Sequence, residues 1–229
     1  MAYSMIEEGV WRMTTSTDGP RLVVLGGVHS NERTGVEVVT RLREALADGK
    51  HNKPSESFLV CQSTPRHARL YRWLQATKVL TDPAYILGGG EPVTTDEYAE
   101  VCGAVGICYE SGQAQDVSRT TEVVSSVVDL LRDMGMTPGD PTGQPTEHQE
   151  VYEMTQTILL SNAGFAYADG AGQASFAPVV KGALLGYHGT KPFRLPLDGV
   201  LVFPKVREHW AVGKPVGFLA RRVSVVPPV

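Results

Sequence analysis

The hydrophobic positions of the first half of the chain alternate between short apolar runs and longer stretches with helical spacing. Three short runs predict buried strands: Leu22–Leu25, Phe58–Cys61 and Gly106–Tyr109. Apolar residues at helical spacing predict three helices: Thr34–Ala47, His67–Leu74 and Thr120–Met134. Strands that alternate with helices indicate an α/β layer with a mostly parallel or mixed sheet.

The pattern changes after Met136, where residues 138–145 are rich in proline and glycine. Short alternating segments follow, separated by turns: Val151–Leu160, Phe176–Val180, Leu184–His188, Phe193–Leu195, Gly199–Phe203 and Val216–Ala220. This rhythm is typical of an all-β fold. We therefore predict two domains, an α/β domain over residues 1–146 and a small all-β domain over residues 147–229.

The composition is that of an ordinary globular protein, with 42% hydrophobic and 20% charged residues in a chain of 229. A net charge of -4 gives no reason to expect nucleic acid or an anionic membrane as a partner. No apolar run is long enough to cross a bilayer, and Met1–Gly9 lacks a secretory signal pattern. The odd number of cysteines, three, favours reduced thiols, so we expect a cytoplasmic protein.

His29 and Glu32 lie between the first predicted strand and the helix that follows it. Their spacing lets both side chains point at one place above the carboxyl end of the strand, where open α/β sheets bind ligands. Imidazole and carboxylate are good zinc ligands, and a catalytic zinc needs three protein ligands and an open position for water. The spacing alone also fits an unrelated histidine beside a helix-start glutamate, and both interpretations stay open.

The sequence around His29 and Glu32 narrows the choice between these two interpretations. Val24–Gly35 resembles the Gly-x-His-Gly-Asn-Glu-x-x-Gly signature of the succinylglutamate desuccinylase/aspartoacylase family, with Ser30 in place of the usual glycine. The resemblance implies a zinc-carboxypeptidase-like α/β domain followed by a small barrel-sandwich-like β-domain. It also implies one Zn²⁺ bound through His29 and Glu32, and hydrolysis of an N-acyl amino acid into an acid and an amino acid.

Two further segments resemble the motifs that complete the site in this family. Gly106–Gly112 matches the strand-end Glu-x-Gly, which implies that Glu110 transfers protons as general base and acid. Val60–Pro65 stands where the family has Asp-x-His-Ser-Thr, so Gln62 occupies the position of the third metal ligand. Glutamine is a poor zinc ligand. His67 is an alternative third ligand, although a surface histidine on a basic turn is the simpler interpretation.

The segment that binds the substrate carboxylate in the family is missing, since only Asp48–Ser57 occupies that interval. Arg33 or Arg66 could supply the cation instead, and each is equally explained as a solvated surface charge. Three functions stay open. The first is a zinc-dependent hydrolase of an N-acyl amino acid or a related small substrate, which could form a homo-oligomer. The second is a catalytically impaired relative that binds a small ligand or a protein. The third is a lipoyl/biotinyl-type carrier modified at Lys205.

Overall fold

The structure is a computed structural model of the chain. It describes residues 2–7, 10–14, 21–26, 33–45, 57–111, 118–161, 164–172, 174–205, 207 and 210–224. Two compact units make up the chain: a helical unit of Met1–Lys53 with Ala114–Gln144, and a sheet unit of Pro54–Gln113 with Pro145–Val229. Within the described ranges, no helix combines the length and apolar composition that a membrane span requires.

The elements are, in chain order, β1 (Ala2–Glu7), β2 (Val10–Thr14), α1 (Arg33–Ala45), β3 (Phe58–Cys61), α2 (Pro65–Tyr71), β4 (Lys78–Thr81), α3 (Thr95–Val101), β5 (Ile107–Glu110), α4 (Thr120–Asp133), β6 (Glu150–Leu159), β7 (Phe165–Tyr167), β8 (Ala177–Val179), β9 (Leu184–His188), β10 (Lys191–Arg194), β11 (Gly199–Val202) and β12 (Pro215–Val223). Short 3-10 helices occupy Arg72–Leu74 and Ile86–Gly88. Thr120–Asp133 and the other predicted helices are confirmed to within two or three residues.

The helical unit contains the β1–β2 antiparallel hairpin and the packed helices α1 and α4. Val38 and Leu42 of α1 are buried one turn apart, which is the stripe that the sequence pattern predicts. On α4, Asp129 is buried and accepts hydrogen bonds from the backbone N–H groups of Thr142 (2.8 Å) and Gly143 (2.9 Å). These bonds fasten the loop after α4 to the helix, because a buried carboxylate needs such donors.

The sheet unit is built on a seven-stranded mixed sheet in the order β5-β3-β4-β6-β12-β11-β8. The pairs β3–β4 and β4–β6 are parallel, and the other neighbouring pairs are antiparallel. Leu59, Val79 and Val151 are fully buried in adjacent strands at its centre. Such continuous apolar strands are expected where parallel strands are covered on both faces.

A separate three-stranded antiparallel sheet has the order β10-β9-β7. It packs against β6, β11 and β12 of the large sheet. Phe165 and Leu185 of the small sheet share one hydrophobic cluster with Ile158, Leu201 and Leu219 of the large one. The fold is therefore α/β with a mixed sheet and a smaller antiparallel sheet, as the sequence predicts.

One sequence prediction differs from this fold. The strand predicted at Leu22–Leu25 is wrong: residues 21–26 form no strand, and Val23 is 78% exposed. The predicted boundary near residue 147 falls within the sheet unit. β4 pairs with β6 in parallel across that boundary, so one sheet contains strands from both sides of it. The division into domains 1–146 and 147–229 stays a prediction.

Candidate functional site

The predicted metal-binding residues His29 and Glu32 lie outside the described residues. Arg33 is the first residue of α1, and the structure describes only its backbone. Their proposed roles stay predictions. Within the described residues, no group of three or more His, Cys, Asp or Glu side chains is arranged to hold a metal ion.

Glu110, the predicted proton-transfer residue, ends β5 and is half-buried. The Cys108 thiol donates to its Oε1 at 3.8 Å, and its Cα pairs with that of Phe58 at the beginning of β3. A 2.7 Å hydrogen bond between the hydroxyls of Ser57 and Tyr109 joins the two strands at this end. The carboxylate therefore lies at the edge of the sheet where β3 begins.

Gln62, the predicted third metal ligand, follows the other end of β3. Its side-chain Nε2 donates to the backbone carbonyl of Asp82 at 3.3 Å. Because β3 and β5 are antiparallel, Phe58 pairs with Glu110 and Cys61 with Ile107. Gln62 is four residues beyond Phe58, which corresponds to about 13 Å along the strand. The structure does not bring Gln62 and Glu110 together, and this geometry disfavours one zinc centre that uses both.

His67 corrects the surface interpretation of the Arg66–Arg69 turn. Arg66 is exposed on α2, but His67 is only 2% exposed. Its Nδ1 lies 2.8 Å from Oγ1 of Thr64, and its Nε2 lies 2.8 Å from Oε1 of Glu100. Both ring nitrogens are therefore engaged by protein groups, and His67 does not fit as the alternative zinc ligand in this conformation.

A small cleft, partly open to solvent, lies at the carboxyl ends of β3 and β4. Its polar lining comes from Gln62, Asp82, Asp96, Glu97 and Glu100. This is the edge at which α/β sheets commonly bind ligands. The sequence predictions included Gln62 alone from this set.

The carboxyl groups of the cleft are held by backbone donors. Asp82 accepts from the N–H groups of Ile86 and Leu87, each at 2.8 Å. Glu97 accepts from Thr94 N–H at 3.0 Å, and the Thr94 hydroxyl accepts from Glu97 N–H, which forms a capping box at the start of α3. The Thr94-x-x-Glu97 spacing is a signal in the sequence that could have located this helix.

Burial dominates the electrostatics of the cleft. It raises the pKa of Asp82, and the backbone hydrogen bonds from Leu87 and Ile86 oppose that shift. It likewise raises the pKa of Asp96. Burial also raises the pKa of the Cys61 thiol, with smaller contributions from the nearby acids Asp96 and Glu100. Cys61 is therefore a neutral thiol and a poor nucleophile.

No protein-family model and no curated protein sequence matches the chain. Solved structures do match it. A succinylglutamate desuccinylase from Vibrio parahaemolyticus aligns with a TM-score of 0.56 and 18% identity, over 83% of this chain and 60% of that one. The succinylglutamate desuccinylase from Vibrio cholerae gives 0.58 and 16%, over 82% and 59%.

An aspartoacylase family protein from Mesorhizobium loti aligns with a TM-score of 0.57 and 16% identity, over 90% of this chain and 86% of that one. The chain thus spans about 60% of the length of the two Vibrio enzymes and most of the Mesorhizobium protein. At this level of identity the likeness establishes architecture. The chain has the fold of the succinylglutamate desuccinylase/aspartoacylase family.

Proposed function

We propose that the chain is a hydrolase that cleaves the amide bond of an N-acyl amino acid or a related small amide. The observation that carries the proposal is the shared fold, since two of its structural neighbours are succinylglutamate desuccinylases. The His29–Glu32 motif and the strand-end position of Glu110 support it. Fold alone does not fix a reaction, so the residues of the site must carry the rest.

The donor chemistry of His29 and Glu32 suits zinc, whereas Gln62 suits it poorly because a neutral amide oxygen is a weak ligand. A bound zinc would polarise the scissile carbonyl and lower the pKa of a bound water. In this proposal the Glu110 carboxylate accepts the proton of the attacking water and returns it to the leaving amine. Arg33 or Arg66 would bind the carboxylate of the substrate.

The second candidate is a catalytically impaired relative that binds a small ligand or a protein. One observation favours it: Gln62 replaces the expected ligand histidine and lies about 13 Å along β3 from the residue that pairs with Glu110. A protein that has lost the third ligand can keep the fold and a binding cleft without turnover. Measurements of metal content and of hydrolysis, made on the same preparations, separate the two candidates.

The experiment compares wild type with His29→Ala and Glu110→Gln. Exposed residues supply matched controls, His148→Ala and Glu91→Gln. Zinc per chain is measured by mass spectrometry of protein purified without added metal. Hydrolysis of N-succinylglutamate and N-acetylaspartate is followed by the free amine released, with and without added zinc.

The hydrolase proposal predicts about one zinc per chain, lost in His29→Ala and kept in His148→Ala. It predicts that Glu110→Gln lowers kcat by roughly 10²-fold or more while zinc stays bound, because the amide cannot take a proton. Zinc binding without release of amine from any substrate would favour the binding module. Wild-type protein that binds no zinc at any loading would exclude the zinc hydrolase.

A further inference from the structure

A second set of reactive groups lies outside the proposed hydrolase centre. Thr64 follows β3, His67 lies on α2, and Glu100 lies on α3. Thr64 Oγ1 is 2.8 Å from His67 Nδ1, and His67 Nε2 is 2.8 Å from Glu100 Oε1. A hydroxyl, an imidazole and a carboxylate are thus joined in one hydrogen-bonded series, which is the arrangement that activates hydroxyl nucleophiles.

The partners of Glu100 indicate which ring nitrogen of His67 carries the proton. Its Oε1 also accepts the backbone N–H of Gly106 at 2.6 Å, so this oxygen acts as an acceptor. A neutral His67 must then carry its proton on Nε2 and donate it to Glu100. Nδ1 is left as an acceptor, and the Thr64 hydroxyl donates to it. The imidazole is held in the tautomer that can remove the proton of Thr64.

The local backbone supports this assignment. Thr64 is the N-cap residue of α2, where a threonine side chain ordinarily accepts from a backbone N–H of the first turn. Its side chain makes no such capping bond and contacts the imidazole instead. Thr64 is exposed, whereas His67 is 2% exposed. The proposed nucleophilic residue therefore lies at the surface, while its base is shielded from water.

We propose that Thr64 is a nucleophile for acyl transfer from small esters, with His67 as its base and Glu100 as the residue that positions the imidazole. The acyl group of the substrate would be bound from the solvent side of Thr64, since Thr64 is exposed. This activity is independent of the metal chemistry of the proposed hydrolase.

The steps balance without any further reactant than water. Thr64 Oγ1 forms a bond to the carbonyl carbon of the ester as its proton passes to His67 Nδ1. The bond from that carbon to the leaving alcohol oxygen breaks, and the alcohol takes the proton from the imidazole. Water then attacks the acyl-threonine, His67 again takes and returns the proton, and the carboxylic acid leaves with Thr64 restored.

The test uses the full chain in the His29→Ala background with a chelator present, so that it is separate from the zinc hydrolase. The protein is mixed with p-nitrophenyl acetate, nitrophenol release is followed by absorbance, and acetylated residues are located by peptide mass spectrometry. Thr64→Ala and Thr64→Ser are compared with Thr95→Ala, which removes an exposed hydroxyl from α3.

We expect acetylation at Thr64 and a roughly 10²-fold slower nitrophenol release in Thr64→Ala, with Thr64→Ser and Thr95→Ala remaining active. We expect Glu100→Gln to slow the release as well, with the folded state checked by circular dichroism. Acetylation of Thr64 no faster than that of Thr95, or release unchanged in Thr64→Ala, would overturn the proposal.

Discussion

Glu100 is the acceptor that joins α2, α3 and the residue before β5, so its removal is a direct test of the described packing. Its Oε1 receives Nε2–H of the buried His67 at 2.8 Å and the backbone N–H of Gly106 at 2.6 Å. Glu100→Ala leaves both donors without this partner. Hydrogen bonds to charged groups contribute about 1.5–3 kcal/mol each, and an unsatisfied buried donor costs a comparable amount.

Two such bonds suggest a loss of about 3–6 kcal/mol, and two features of the site lower that figure. The Glu100 side chain is 19% exposed, so water can replace part of the lost interaction at Gly106. The two bonds also share one oxygen, so their contributions are not additive. We expect Glu100→Ala to lower the free energy of unfolding by about 3 kcal/mol. Glu100→Gln should cost less, because its amide oxygen still accepts.

The assay is urea unfolding followed by tryptophan fluorescence, since Trp73 is buried in the same unit. The matched control is Glu147→Ala, a glutamate that is exposed, and its effect should stay within about 0.5 kcal/mol. The midpoint should shift while the slope with denaturant stays unchanged. A loss below about 1 kcal/mol in Glu100→Ala would refute the reasoning, because His67 and Gly106 would then have equivalent partners elsewhere.

Two further predictions concern the same edge of the sheet. A Cβ at Gly106 would lie 2.1 Å from the Asp96 carbonyl oxygen, whereas one at Gly103 (φ +79°) would meet nothing within 4 Å. Gly106→Ala should therefore lower the free energy of unfolding by about 3 kcal/mol or more, and Gly103→Ala by about 1 kcal/mol. Urea unfolding measures both losses. Equal losses would contradict the close approach of Gly106 to the Asp96 carbonyl. Burial raises the pKa of Asp96, so its stabilising contribution is complete below the unfolded pKa of about 4 and is lost as pH rises through the folded value. Wild type should thus lose stability relative to Asp96→Asn as pH rises above about 4, and a pH-independent difference between them would show that burial does not control this carboxyl.

The sequence pattern located elements with strong periodicity and missed those without it. Thr120–Asp133 carries a clear apolar stripe, and its predicted limits agree with the structure to within a residue. β4 has only four residues, Lys78–Thr81, and begins with a lysine, so no alternating or apolar run marked it. The run at Leu22–Leu25 has strand composition, yet Val23 and Leu25 are exposed and form no strand. A strand needs a partner strand, and the residue types of the run do not show whether the fold supplies one.

The site residues show a different limit. The flanking residues Arg66 and Arg69 suggested that His67 lies at the surface. Neighbouring residues of a helix point in different directions, however, so a buried His67 can lie between exposed arginines. Its partner Glu100 is 33 residues away, and only the tertiary fold brings the two together. Asp82 and Asp96 could not be grouped with them from spacing, because the loop and helix between β4 and β5 determine where each carboxyl lies.

The direction of β5 determines at which edge of the sheet Glu110 lies. The motif matches place Glu110 and Gln62 each at the carboxyl end of a strand. The carboxyl ends of two neighbouring strands lie at the same edge of a sheet only where the strands are parallel. β5 runs antiparallel to β3, so its carboxyl end lies where β3 begins. Glu110 therefore shares an edge with Ser57 and Phe58, while Gln62 shares the opposite edge with Asp82 and Glu100. The assignment of Gln62 and Glu110 to one zinc centre therefore stays a prediction, and it requires the two side chains to reach one ion from opposite edges of the sheet.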